Sequence, residues 1–351
     1  MQIELPYPLK LAMRQIDDKP IAAHLYVTDN CNLDCFYCTE YDNEVPHPSL
    51  SDLKKWIQKI KDLGCVRIGL QGGEPLLHPD IIEIVRFCKS LGLRTSMSTN
   101  GFKLSKEIIA GLEDAQLDSL QVSVDRMTPT RSTRKSVKSI MPKIELLKKS
   151  KLNFNITGVL FIDSLSEAKD VLEYGMSENI PVHARLVHAG PLGQYDVEPG
   201  KKEALEDMID FQIREKRKGR SIRTTGTLFD YQKSLLNGQE MDWTCVAGYK
   251  YIFVTAQGKF WLCSMNRTPG IDIMDVTPEM LKSYNTKKSC QSGCGVYCVV
   301  SESFANNRTM QFVKREAEEI VQHQLGKIRS TGNGNGNGSN GVEKEAPVEV
   351  V

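Results

Sequence analysis

Between residues 24 and 189 the chain alternates two hydrophobic rhythms. Short runs of alternating or continuous apolar residues read as strands, and longer stretches with apolar positions three and four apart read as amphipathic helices. Strands are expected over 24–30 (HLYVTDN), 66–72 (VRIGLQG), 94–100, 119–125, 153–162 and 181–189. Helices are expected over 49–64, 79–90, 105–116, 136–150, 164–179 and 201–218. Ser49 and Gly64 supply the start and stop signals of the first helix. Strand-then-helix units with short connections predict a parallel sheet, because right-handed crossovers join parallel neighbours. Six units fall short of the eight that close a barrel. The expected fold is therefore α/β, an open (β/α)6 partial TIM-like barrel with functional residues at the C-terminal ends of its strands.

After Gly219 the rhythm stops. A short helix is expected over 229–238, a β-hairpin over 249–255 and 259–265 around the turn Ala256-Gln257-Gly258, and a helix over 277–287. A charged helix is expected over 311–328. Residues 330–341 (STGNGNGNGSNG) have no apolar side chain and read as a flexible linker, and 342–351 as a disordered tail. The division this suggests is an N-terminal segment 1–23, a barrel 24–222, a small α+β cysteine-rich domain 223–310, a helix 311–329 and a tail 330–351.

Composition changes this picture in two ways. Lys+Arg 45 against Asp+Glu 44 leaves a net charge of +1, so no basic field for nucleic acid is present. No apolar run is long enough to span a bilayer and no signal pattern opens the chain, so a cytoplasmic protein is expected. The 10 cysteines are the second change. Cys31, Cys35 and Cys38 form C-x3-C-x2-C after the first strand. Cys245, Gly258 and Cys263 form C-x12-G-x4-C, and Cys290, Cys294 and Cys298 repeat at every fourth position. One given three-cysteine spacing should arise by chance about 0.01 times in such a chain, so the two triplets point to metal. Cys65 and Cys88 stand alone in apolar surroundings and read as core residues.

Three thiolates on one loop can hold three irons of a [4Fe–4S] cube and leave the fourth open to a ligand. A structural zinc site is the alternative, but it takes four ligands, and only His24 or His47 lies near enough in sequence to serve. Three further strand ends carry chemistry. Gly72-Gly73-Glu74-Pro75 follows the second strand: glycines allow close backbone approach, and a carboxylate pairs with an ammonium. Ser98 and Asn100 end the third strand, Ser123 and Asp125 the fourth.

Together, C-x3-C-x-aromatic-C, the Gly-Gly-Glu-Pro run and the (β/α)6 pattern resemble the radical S-adenosylmethionine (SAM) superfamily. The resemblance implies a [4Fe–4S] cluster on Cys31, Cys35 and Cys38 whose open iron chelates SAM. It implies reductive cleavage of SAM to a 5′-deoxyadenosyl radical that abstracts hydrogen from an unactivated carbon. It places Gly72, Gly73, Glu74 and Pro75 at the SAM amino group, Ser98, Asn100, Ser123 and Asp125 at its carboxylate and ribose, and Tyr37 beside the adenine. Reduced flavodoxin or ferredoxin would be the electron donor.

The C-terminal cysteines resemble the auxiliary-cluster extensions of this superfamily, SPASM with two clusters and Twitch with one. Five cysteines are too few for two clusters, so the resemblance implies one probable second [4Fe–4S] cluster with one spare thiol, or zinc in its place. Cys245 and Cys263 are the firm pair among Cys245, Cys263, Cys290, Cys294 and Cys298. Which others join them is left open. The expected reaction is oxidation of a small-molecule biosynthetic intermediate, with a lipid, isoprenoid or tetrapyrrole precursor open. About 23 residues before the first strand leave little room for a peptide-recognition domain, though a peptide-modifying maturase stays as the alternative. A non-catalytic iron–sulfur or zinc protein is the alternative of another class. Asp125, Glu40, Asp42, His183, Arg185 and His188 are the candidates for a general base.

Overall fold

The computed structural model of the protein describes residues 11, 13–14, 16–161, 164–186, 199–307, 317–318, 321–322 and 325. His188, the linker 330–341, the tail 342–351 and most of the helix expected over 311–328 lie outside the described residues.

Nine strands form one sheet in the order β6-β5-β4-β3-β2-β1-β7-β8-β9. They are β1 Ala22–Thr28, β2 Arg67–Gly72, β3 Arg94–Thr99, β4 Ser119–Ser123, β5 Phe154–Leu160, β6 Val182–Leu186, β7 Tyr251–Val254, β8 Lys259–Trp261 and β9 Pro269–Asp272. The first six pair in parallel, each followed by a helix, as the alternating rhythm requires. The helices begin on side-chain caps. Ser49, Ser105 and Ser136 each accept a backbone N–H from the first turn, satisfying donors that a helix start leaves unpaired.

Side chains alternate across the sheet. Leu25, Ile68, Leu70, Met97, Leu120, Val122 and Ile156 are buried against the helices. The other face is polar: His24 and Tyr26 on β1, Gln71 on β2, Ser98 on β3, Gln121 on β4, Thr157 on β5, His183 and Arg185 on β6. Hydrogen bonds tie this face together, Gln121 Nε2 to Ser98 Oγ at 3.5 Å and Thr157 Oγ1 to His183 Nε2 at 3.3 Å. The barrel interior is thus built of groups that need partners.

Two features depart from the sequence expectation. The hairpin forms, with Gly258 at φ +70° in its turn, but β7 also pairs in parallel with β1, from Ala22 opposite Tyr251 to Leu25 opposite Val254. The cysteine-rich part therefore continues the barrel's own sheet. The second is a helix, Tyr297–Asn307, that the pattern did not predict. Its residues Val299–Ala305 are all buried, so it has no polar stripe to produce a helical period. Glu302, 1% exposed, forms an ion pair with Arg67 of β2. The Arg185 guanidinium of β6 lies 5.5 Å from the Tyr297 ring centre. This helix therefore reaches from β2 to β6.

Candidate active site

The first cysteine loop leaves β1 and folds back on its own strand. Cys31 N–H donates to Asn43 Oδ1 at 2.8 Å, and Cys38 N–H closes a turn onto the Cys35 carbonyl at 2.9 Å. Cys35 is buried and the other two thiols half-buried. All three are free and lie within Coulombic reach of one another. Burial raises the pKa of Cys31 and Cys35, and the Lys135 ammonium partly offsets this at Cys35. A bound cluster, itself cationic at iron, would take these thiols as thiolates, one per iron. Among the described residues no three His, Cys, Asp or Glu side chains converge on the position of a single ion.

The Gly-Gly-Glu-Pro run sits against this loop, and its glycines have a reason the sequence did not disclose. A Cβ on Gly72 would fall 2.0 Å from the Thr28 carbonyl oxygen, and one on Gly73 would fall 2.3 Å from that of Asn30. Gly73 and Glu74 N–H donate to the Thr28 and Asn30 carbonyls at 2.9 and 2.8 Å. The glycines let β2 dock on the backbone that carries Cys31. Replacing Gly73 by Ala should therefore shift the cysteine loop and cost about 2–3 kcal/mol. Urea denaturation, with iron content after reconstitution, checks this; a wild-type midpoint would refute it.

Glu74 is 1% exposed and accepts from Thr99 Oγ1 at 2.6 Å, Asn100 N at 2.7 Å and Leu76 N at 3.1 Å. An ionised carboxylate has about four acceptor positions, so two are committed to the end of β3, one to the turn that Glu74 itself caps, and one is left open. Pro75 begins the short helical turn that this cap starts. Asn100 turns its amide to Asn32 Oδ1 at 2.9 Å and stands 3.9 Å from Cys31 Sγ. Tyr37 donates to Asp125 at 2.6 Å and packs on Phe161, ring centres 5.0 Å apart. Ser98 accepts from Gln121, and Ser123, half-buried, is on the same face of the sheet.

Lys135 escaped the sequence reading. Its ammonium lies 3.4 Å from Asp125 and 4.8 Å from the Tyr37 ring centre, and it feels the charges of Cys35 and Cys38. It is one of several cations in residues 131–138, and no local signal marks which of them turns inward.

The general-base candidates separate. Glu40 accepts from Tyr26 Oη at 3.1 Å, and burial raises its pKa. Asp42 is exposed. His183 is buried and its pKa is driven down by burial, then by Arg185 and Arg223. His24 and His47, the nearby histidines, are engaged instead with Tyr251 and with Thr28 Oγ1.

Chain closure gathers the C-terminal thiols. Cys294 lies within Coulombic reach of Cys245, Cys263 and Cys290, and Cys245 within reach of Cys263 and Cys290. Lys288 donates to the carbonyls of Cys245 at 2.8 Å and Tyr284 at 2.9 Å beside them. Gln291 bridges the segment to Trp243 O at 2.6 Å, and Tyr231 Oη donates to Cys294 O at 2.7 Å. Cys298 stands beside the Tyr251 hydroxyl and within Coulombic reach of Cys263, and burial pushes its pKa up to about 11. Cys65 and Cys88 are core residues, 1% and 0% exposed.

Residues 25–175 match the family model of the radical SAM superfamily. Over those residues the chain carries a radical SAM domain. Radical SAM enzymes use a [4Fe–4S] cluster and SAM, and Cys31, Cys35 and Cys38 occupy the loop after β1 in the matched segment. Among curated relatives, the AdoMet-dependent heme synthase of Methanosarcina barkeri is 26% identical over 68% of this chain and 74% of its own length. A probable GTP 3′,8-cyclase of Saccharolobus islandicus is 28% identical over 71% and 84%. Two solved structures share the fold of this radical SAM chain. SuiB of Streptococcus suis with its precursor peptide SuiA has a TM-score of 0.59 at 14% identity, covering 80% of this chain and 67% of that one. The anSMEcpe protein with bound AdoMet has a TM-score of 0.58 at 16% identity, covering 89% and 99%.

Proposed function

We propose that this radical SAM enzyme carries a second, auxiliary [4Fe–4S] cluster and oxidises a small-molecule biosynthetic intermediate by removing hydrogen from an unactivated carbon. When bound, the first cluster and SAM supply the 5′-deoxyadenosyl radical. The chain's own residues position them: Cys31, Cys35 and Cys38 hold the cluster, Glu74 and Asn100 fix the ends of β2 and β3 beside it, and Tyr37 and Asp125 line the way in.

The observation that supports the auxiliary cluster is that Cys294 lies within Coulombic reach of Cys245, Cys263 and Cys290, with the Lys288 ammonium near the last three. We assign these four as ligands and Cys298 as the spare. One consideration favours a small molecule. The heme synthase and GTP cyclase matches span 68% and 71% of the chain, whereas the match to a PqqA peptide cyclase of Methylocella silvestris spans 30%. All ten cysteines are free, which suits a reducing cytoplasm and a flavodoxin or ferredoxin donor. Among the described residues no helix is long and apolar enough to cross a membrane.

Iron and sulfide analysis after anaerobic reconstitution, with dithionite-dependent 5′-deoxyadenosine formation, tests this reading. About eight irons per chain with SAM cleavage are expected. Cys263→Ala should retain about four, whereas Cys298→Ser should keep about eight. Four irons in the wild type, or zinc in place of iron, would overturn the auxiliary cluster.

A further inference from the structure

Every buried carboxylate around the barrel interior has a partner of its own. Glu302 is paired with Arg67, Asp125 with Lys135 and Tyr37, Glu74 with the end of β3, and Glu40 with Tyr26. Arg185, near the C-terminal end of β6, is different. Its Nε is shielded from solvent and makes no hydrogen bond, and among the described residues no carboxylate reaches its guanidinium. One face of that guanidinium rests on Tyr297. The side chain as a whole is only half-buried, so the rest of it stays reachable. Burial, with Arg223 nearby, lowers its pKa to about 10, so it is a cation at neutral pH.

His183, two residues earlier on the same face and 2% exposed, adds a second polar group. Its Nε2 lies 3.3 Å from Thr157 Oγ1, which accepts from Asn155 Nδ2 at 3.0 Å, and Arg223 donates to Asn155 Oδ1. The other ring nitrogen, Nδ1, is buried without a partner. An unpaired guanidinium N–H and an unpaired imidazole nitrogen therefore stand about 6.6 Å apart at their Cα atoms on one strand. A buried cation and a buried polar nitrogen left open are costly unless something satisfies them. A planar guanidinium fits an oxyanion.

We propose that the inner face of β6 binds an oxyanion of the substrate, a carboxylate or a phosphate, through Arg185 and His183. This rests on the reading that the substrate reacts inside this barrel, and it narrows the substrate to an anionic small molecule. The position beside Tyr297, on the helix that follows the C-terminal cysteines, sets this group apart from the Glu74, Asn100 and Lys135 cluster at the first loop.

The test uses inorganic phosphate as the probe. The reconstituted protein, saturated with SAM, is titrated with phosphate against chloride of equal ionic strength while its Tm is followed. A saturable rise is expected for the wild type, since a ligand of the folded state stabilises it by mass action. The midpoint should weaken at least tenfold in Arg185→Gln and recover in part in Arg185→Lys. The surface variant Arg86→Gln should titrate like the wild type. If Arg185→Gln does not fold, His183→Ala carries the comparison. Phosphate acting no better than chloride, or equally on wild type and variant, overturns the site. So does a response seen only without SAM, which would assign Arg185 to the SAM carboxylate. SAM cleavage by the wild type is measured in parallel. Cleavage without a phosphate response removes the anion site and leaves the enzyme reading, whereas a response without cleavage does the reverse.

Discussion

Cys35→Ala is expected to abolish dithionite-dependent 5′-deoxyadenosine formation and to remove about four irons per chain. Of the three thiols on the first loop, Cys35 is the buried one, and its carbonyl receives the Cys38 N–H that shapes the turn. That backbone bond survives the substitution. The loop's docking onto Gly73 and Glu74 also survives, because it runs through Thr28 and Asn30 carbonyls. The variant should keep its fold and lose only the third thiolate, without which an open-iron cube has no stable seat. Iron analysis, product formation and a denaturation curve on one preparation separate these effects. SAM cleavage persisting in the variant would refute the assignment of Cys35.

Glu302→Gln destabilises the fold by about 3–5 kcal/mol, the cost of leaving a buried Arg67 without its counter-charge. The pair is distant in sequence and holds the helix Tyr297–Asn307 on β2. Loosening it should also loosen Cys294, directly before that helix, so the variant loses auxiliary-cluster iron while retaining SAM cleavage. The double variant Arg67→Met with Glu302→Leu should recover most of the stability, since apolar groups of similar volume replace a buried pair at little cost. Urea midpoints of the single and double variants check this. A single variant within 1 kcal/mol of wild type, a small surface-like effect, would show that the pair does not anchor the helix.

The site was legible where its chemistry is local. Cys31, Cys35 and Cys38 lie within eight residues, so chain connectivity alone puts them on one loop whatever the fold does. Gly73 was noticed for a sound reason, close backbone approach, but the backbone it approaches is that of Asn30. Lys135 and Arg185 were hard to weigh. A cation's role depends on which carboxylates reach it, and Lys135 meets Asp125 whereas Arg185 meets none among the described residues. The helix Tyr297–Asn307 was hidden because a helix buried on all sides shows no amphipathic period.

By itself the amino-acid sequence determined the strand and helix alternation, the parallel α/β class, the first cysteine loop and the number of thiols available to a second site. Each follows from residues close together in the chain, where spacing and backbone geometry leave few alternatives. Tertiary structure alone decided that β7 joins β1, that Glu302 meets Arg67 across 235 positions, that Cys294 comes within Coulombic reach of Cys245, Cys263 and Cys290, and that Arg185 meets no carboxylate among the described residues. Those outcomes depend on which polar faces meet when the sheet curves. Alternation shows that a strand has a polar face, but only packing chooses the group that satisfies it.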